Sequence, residues 1–174
     1  MKKILIILTS IVLIGFLVSY GFRLYTKSHS PEAKADFDKN GLKIHVDYCQ
    51  PSKKNRKIFG ELVPYGEIWR TGANEATEIE FSREVDINGN SLKAGRYALF
   101  TIPNQNSWTI IFNKELGMWG AFSYQQENDV LRVEVTPSQQ NDVLEVFTIS
   151  FQEADNGADM ILAWENTKVV VPIR

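Results

Sequence analysis

Beyond residue 36 the apolar side chains recur at every second position, and this period restricts the fold more than any other feature of the chain. Leu42, Ile44, Val46 and Tyr48 alternate with Lys43, His45 and Asp47, and Leu131, Val133 and Val135 alternate with Arg132 and Glu134. Ile79 and Phe81 alternate with Glu78 and Glu80, while Val169, Val171 and Ile173 close the chain. A strand directs successive side chains to opposite faces, so each such segment reads as a strand with one buried face. Segments 95–102, 107–113, 143–152 and 159–166 are rich in the branched and aromatic residues that suit a pleated surface. Asn88-Gly89, Pro103-Asn104, Pro137-Ser138 and Asn156-Gly157 separate them as turns. The expected fold is all-β, an antiparallel β-sandwich or barrel of about eight to nine strands spanning 40–174.

The amino-terminal end obeys a different rule. Residues 4–22, ILIILTSIVLIGFLVSYGF, form a 19-residue run without a charge. As a helix it reaches about 28 Å, close to the hydrocarbon thickness of a bilayer. Residues 1–23 are therefore read as an N-terminal transmembrane signal-anchor helix, with the lipid bilayer as the partner of residues 4–22. A cleaved signal peptide is the competing reading, but its apolar core would be shorter, and Ser19-Tyr20-Gly21 is a weak cleavage site. Lys2 and Lys3 bias the amino end toward the cytoplasm, which places the rest of the chain in the cell envelope. Residues 24–39, beginning LYTKSHSPEAKA, read as a polar tether in which His29 is solvated.

Charge and composition narrow the function. Lys2, Lys3, Arg23 and Lys27 are the only charged side chains before Glu32, leaving 15 basic against 21 acidic side chains from Glu32 onward. Such an acidic domain is a poor partner for nucleic acid. One cysteine and two histidines exclude a disulfide framework and the multi-Cys or His-rich metal centres, and no cofactor fingerprint is present. Asp36, Asp38, Asn40, Gly41 and Asp47 resemble the start of a calcium loop, but the alternation over 42–48 argues for a polar turn entering a strand. His45 and Asp47 share one strand face, a spacing that also describes any solvated face.

Two stretches interrupt the strand pattern. Residues 49–76 are too long for a plain connection, yet Ile58, Phe59, Leu62, Val63, Tyr65, Ile68 and Trp69 allow them to pack. Residues 114–129 form a second excursion carrying Trp119, Phe122 and Tyr124. The richest polar string, Trp69-Arg70-Thr71-Gly72-Ala73-Asn74-Glu75, combines a planar cationic fork, an amide, a carboxylate and an aromatic face. Candidate ligand-binding residues are Arg56, Tyr65, Trp69, Arg70, Asn74, Glu75, Trp119 and Tyr124. They suit a small polar or saccharide-like ligand. The alternative is an internal network in which Arg70 pairs with Glu75 and locks the loop. A hydrolase using Glu75 and Glu78 as acid and base, and a purely structural envelope domain, remain open.

The strings YCQPSKKNRKIFGELVPYGEIWRTGANEAT, AGRYALFTIP, WTIIFNK and DVLRVEV resemble the bacterial family of exported domains of unknown function 2911. The resemblance covers roughly residues 40–173. It implies an export segment ahead of a β-rich domain, and it brings no assigned activity. The family's usual residue at position 49 resembles serine, which implies that Cys49 is not an essential nucleophile.

Overall fold

The computed structural model describes residues 2–174. Helix α1 (Lys2–His29) is followed, among the described residues, by ten strands and no further α-helix. Strands β1 (Glu32–Lys39), β2 (Leu42–Cys49), β3 (Thr77–Phe81), β6 (Gly95–Ile102), β7 (Trp108–Asn113) and β8 (Asp129–Val135) form one antiparallel sheet in the order β1-β2-β3-β6-β7-β8. The short β4 (Val85–Ile87) and β5 (Asn90–Leu92) join β9 (Ser138–Ala154) and β10 (Gly157–Ile173) in a second sheet, ordered β5-β4-β10-β9. The two sheets pack as a sandwich, and the barrel alternative falls away.

The strand period carries directly into burial. On β2, Leu42, Ile44, Val46 and Tyr48 are buried while Lys43 is exposed. Ile79, Leu99, Ile110 and Phe112 from the first sheet meet Ile149, Met160, Leu162, Val169 and Val171 from the second in one core. Two turns have the two-residue form that suits the right-handed twist of a hairpin. Asn40-Gly41 and Asn88-Gly89 all take positive φ, joining β1 to β2 and β4 to β5. Asp36 and Asp38 therefore lie on a strand and Asn40-Gly41 in its turn, which dissolves the resemblance to a calcium loop.

Three sequence expectations are corrected. Residues 24–39 are not a tether. The helix continues through Tyr25–His29 until Pro31 stops it, and β1 pairs in full register with β2. β1 escapes the pattern because its inward residues include the small Ala33 and Ala35, with Phe37 the only large one. The segments 143–152, 159–166 and 169–173 merge into two 17-residue strands, bent at bulges around Glu165, whose φ is 54°. The short β4–β5 hairpin brings the number of strands to ten.

Helix α1 is long and apolar enough to cross a membrane, a property that anchors and export signals share. None of its residues is buried, and its apolar side chains stand uncovered as far as Tyr25.

Candidate functional site

Segment 49–76 packs into the core of the sandwich through Ile58, Phe59, Val63 and Trp69. Phe59 and Trp69 enter a cluster with Trp108, Phe147 and Trp164. The ring centroids are 4.9 Å apart for Phe59–Trp108 and 5.0 Å apart for Trp69–Phe147. Ile58 and Val63 are buried with them. The burial these apolar residues offer repays the ordering of a segment without regular structure. Trp69 adds a rung beside β6, exchanging backbone hydrogen bonds of 2.8 and 2.9 Å with Thr101.

The backbone then turns sharply. Thr71 and Asn74 have φ of 53° and 58°, a region that a β-branched residue such as Thr71 enters only when its surroundings hold it there. Those restraints are visible. The Thr71 carbonyl accepts from Thr77 Oγ1 at 2.6 Å, and the Gly72 carbonyl accepts from Trp69 Nε1 at 3.0 Å. Gly72 lies so close to β2 that a Cβ there would stand 2.9 Å from the Cys49 carbonyl oxygen. Asn74 O accepts from Gly120 N at 2.8 Å, and Ala76 N donates to Met118 O at 2.9 Å, so the second excursion braces the first.

This rigid turn forms one wall of a cavity of about 350 Å³. Tyr25, Thr26 and His29 from the end of α1, and Ser30 just after it, also line the cavity. Arg56, Arg70 and Asn74 also line it, with Trp69 and Trp164 behind them, and no carboxylate does. Arg70 is half-buried, and its Nε is the one buried side-chain nitrogen or oxygen without a hydrogen-bond partner among the described residues. Burial pushes its guanidinium below the usual arginine range, and the Cys49 thiol is the only titratable group that offsets this. The exposed Arg56 spends two donors on the carbonyls of Lys53 and Ser52, at 2.9 and 2.7 Å, and also lacks a carboxylate partner among the described residues. The cavity thus carries two guanidinium groups and no compensating anion.

A second cavity of about 690 Å³ lies beyond Cys49. Its charges are matched internally. Lys27 pairs with Glu75 at 3.2 Å and with Glu32, while Arg96 pairs with Glu78 at 2.6 Å and Asp47 at 2.8 Å. Burial raises the Cys49 thiol, which donates to Glu75 Oε2 at 3.8 Å. Glu75 and Glu78, the acid–base candidates, both belong to this second cavity.

The residues singled out in the sequence divide accordingly. Arg56, Trp69, Arg70 and Asn74 converge on the first cavity. Glu75 faces the second, so the expected Arg70–Glu75 pair does not form and Lys27 takes the carboxylate instead. Trp69 offers no stacking face, because Phe59, Phe147 and Trp164 surround its ring. Asn74 donates to the Ser30 carbonyl at 3.2 Å, fastening the loop to the foot of the helix. Tyr65 lies over Gly60, away from the cavity. Trp119 bridges to Glu75 through the backbone and meets α1, with Phe22 at 6.4 Å and the Arg23 guanidinium 5.3 Å from its ring centroid. Tyr124 packs on Phe100 across the outer face of β6 and donates to Asp129 at 2.6 Å.

Tyr25, Thr26 and His29 were missed as lining residues because the segment reads as a solvated tether. The available signal was Tyr25 and His29 at helical i, i+4 spacing, with no breaker before Pro31.

Residues 30–173 match the family described as protein of unknown function (DUF2911). Among curated proteins and among solved structures no match is found. The match takes in both sheets and the two excursions but excludes the helix that supplies Tyr25, Thr26 and His29 to the cavity. The chain belongs to the DUF2911 family, which carries no assigned function.

Proposed function

We propose that the protein is a binding module of the bacterial cell envelope, held at the inner membrane by α1, with the sandwich on the periplasmic side. Its cavity takes a small polar ligand through a carboxylate or phosphate group. The observation that carries this reading is the half-buried Arg70, unpaired beside Arg56 in a cavity without an acidic side chain. A folded domain normally pairs or solvates such a charge, and an exception in a cavity wall suits an incoming anion. Saccharide-like ligands fit through an acidic substituent rather than by ring stacking, since the Trp69 ring is enclosed.

The test uses the full chain in neutral detergent, with thermal unfolding measured against inorganic phosphate, small di- and tricarboxylates, sugar phosphates and neutral sugars. Anions raise the melting temperature of the wild type and leave Arg70→Gln unmoved. Equal protection by neutral sugars, or by anions in both proteins, refutes the site. Mass measurement of the mature protein and a C-terminal reporter test the anchor. A product beginning near residue 22 refutes it, as does a reporter active only in the cytoplasm.

A further inference from the structure

Resting on that reading, we infer that the anion is the phosphate-bearing headgroup of an acidic phospholipid in the same membrane that holds α1. The place of the cavity relative to the helix carries the inference. Phe22 ends the uncharged run, and Thr26 and His29 line the cavity four and seven residues further on. At 1.5 Å per residue these positions lie about 6 and 10 Å beyond the hydrocarbon edge. The headgroup layer is about 5–7 Å deep on each side of a bilayer. Helical side chains lean toward the N-terminus, so Tyr25 and Thr26 reach back into that layer. The end of the cavity at Tyr25 and Thr26 therefore lies at headgroup depth, and the end at His29 lies just outside that layer, within reach of a lipid headgroup.

The surroundings suit an amphiphile. A Cβ at Gly120 would stand 3.7 Å from an Arg70 guanidinium nitrogen and 3.0 Å from the Phe122 ring, so both side chains approach Gly120. Phe122 is 88% exposed, the most exposed large apolar side chain described for this protein, and Leu62 on the cavity wall is 43% exposed. Trp119, three residues before Phe122, touches Phe22 where the helix leaves the hydrocarbon. An exposed aromatic side chain near Gly120 and an apolar one on the wall that also carries Arg56 and Arg70 can accept the glycerol backbone of a lipid alongside its phosphate. The Arg fork matches phosphate geometry, and the water-poor wall behind it strengthens the contact.

The experiment follows thermal unfolding of the full chain in phosphatidylcholine nanodiscs. One set contains about one third phosphatidylglycerol, and another contains phosphatidylcholine only, with inorganic phosphate or glycerol phosphate added to the buffer. With lipid about a hundredfold above its dissociation constant, phosphatidylglycerol raises the melting temperature by about 5–10 °C. Arg70→Gln loses most of that rise, and so does Arg56→Gln, at an exposed position, with the melting temperature of each variant in phosphatidylcholine alone as its own baseline. The soluble phosphates alone produce little change. An equal rise with soluble phosphate overturns the lipid source and leaves the anion-binding reading standing. No rise with either refutes both. A rise that persists in both variants shows general attraction to a charged surface and overturns the inference, as does a mature protein lacking residues 1–22.

Discussion

Replacing Arg70 by methionine should make the unliganded protein more stable, against the usual direction for a half-buried position. Its Nε is buried without an acceptor, and no carboxylate pairs with its guanidinium among the described residues. Leaving a buried donor unsatisfied costs about 1–3 kcal/mol, and a charged one lies toward the upper end. Methionine keeps the apolar stem that packs against the loop and drops the charge, so little packing is lost in exchange. Arg70 retains some solvent contact, and the gain should therefore fall at about 1–2 kcal/mol. For a chain of this length each kcal/mol moves the melting temperature by about 2–4 °C, which gives a rise of about 2–8 °C. The assay is thermal and denaturant unfolding of the full chain in neutral detergent, followed by the near-ultraviolet signal of the Phe59–Trp69–Trp108–Trp164 cluster. The same variant should lose response to anions. A loss of 1 kcal/mol or more would refute the reasoning, because it would mean that Arg70 locks the loop through stabilising contacts.

Other perturbations separate the structural parts. Trp69→Ala removes a buried indole from the centre of the aromatic cluster and should cost about 3–5 kcal/mol in denaturant unfolding. A cost below 1 kcal/mol would show that segment 49–76 is loosely held. Gly72→Ala should cost about 1–3 kcal/mol, since its Cβ would meet the backbone oxygen of Cys49 at 2.9 Å, and a neutral result would argue against that close approach. His45 is held above its ordinary value of 6.5 by its hydrogen bond to Asp36, with Asp47 also raising it. Its contribution to stability is thus fully present below about pH 6.5 and lost as pH rises through the higher folded value. The melting temperature should fall across that window in the wild type and less so in His45→Gln, whereas parallel curves would rule out the link.

The legible part of this protein is what local chemistry decides. Alternation at Leu42–Tyr48 and Leu131–Val135 specifies strands and their inward faces, because a strand has only two sides. The apolar run at 4–22 specifies a helix long enough for a bilayer for a similar reason, since its composition leaves no polar face. β1 was hidden because Ala33 and Ala35 bury too little to mark a period, and its pairing with β2, which the sequence does not display, adds to the burial of Phe37 in holding it. The end of α1 was hidden because Thr26, Lys27 and Ser28 read as polar spacer until Lys27 meets Glu75, on another part of the chain.

The site divides along the same line. Its residue types were visible in the string from Trp69 to Glu75, and segment 49–76 could be seen to have the apolar residues needed to pack. Which of them share a cavity was not visible. Left-handed turns at Thr71 and Asn74 place Arg70 on one side of the loop and Glu75 on the other, and Lys27 claims the carboxylate that sequence proximity offers to Arg70. Neighbours in a strand or helix are set by periodicity, which sequence carries. Partners across a long loop are set by where distant hydrogen bonds fasten it, here backbone bonds to Thr101 and Met118 and the Asn74 side-chain bond to Ser30, and those are products of the folded chain alone.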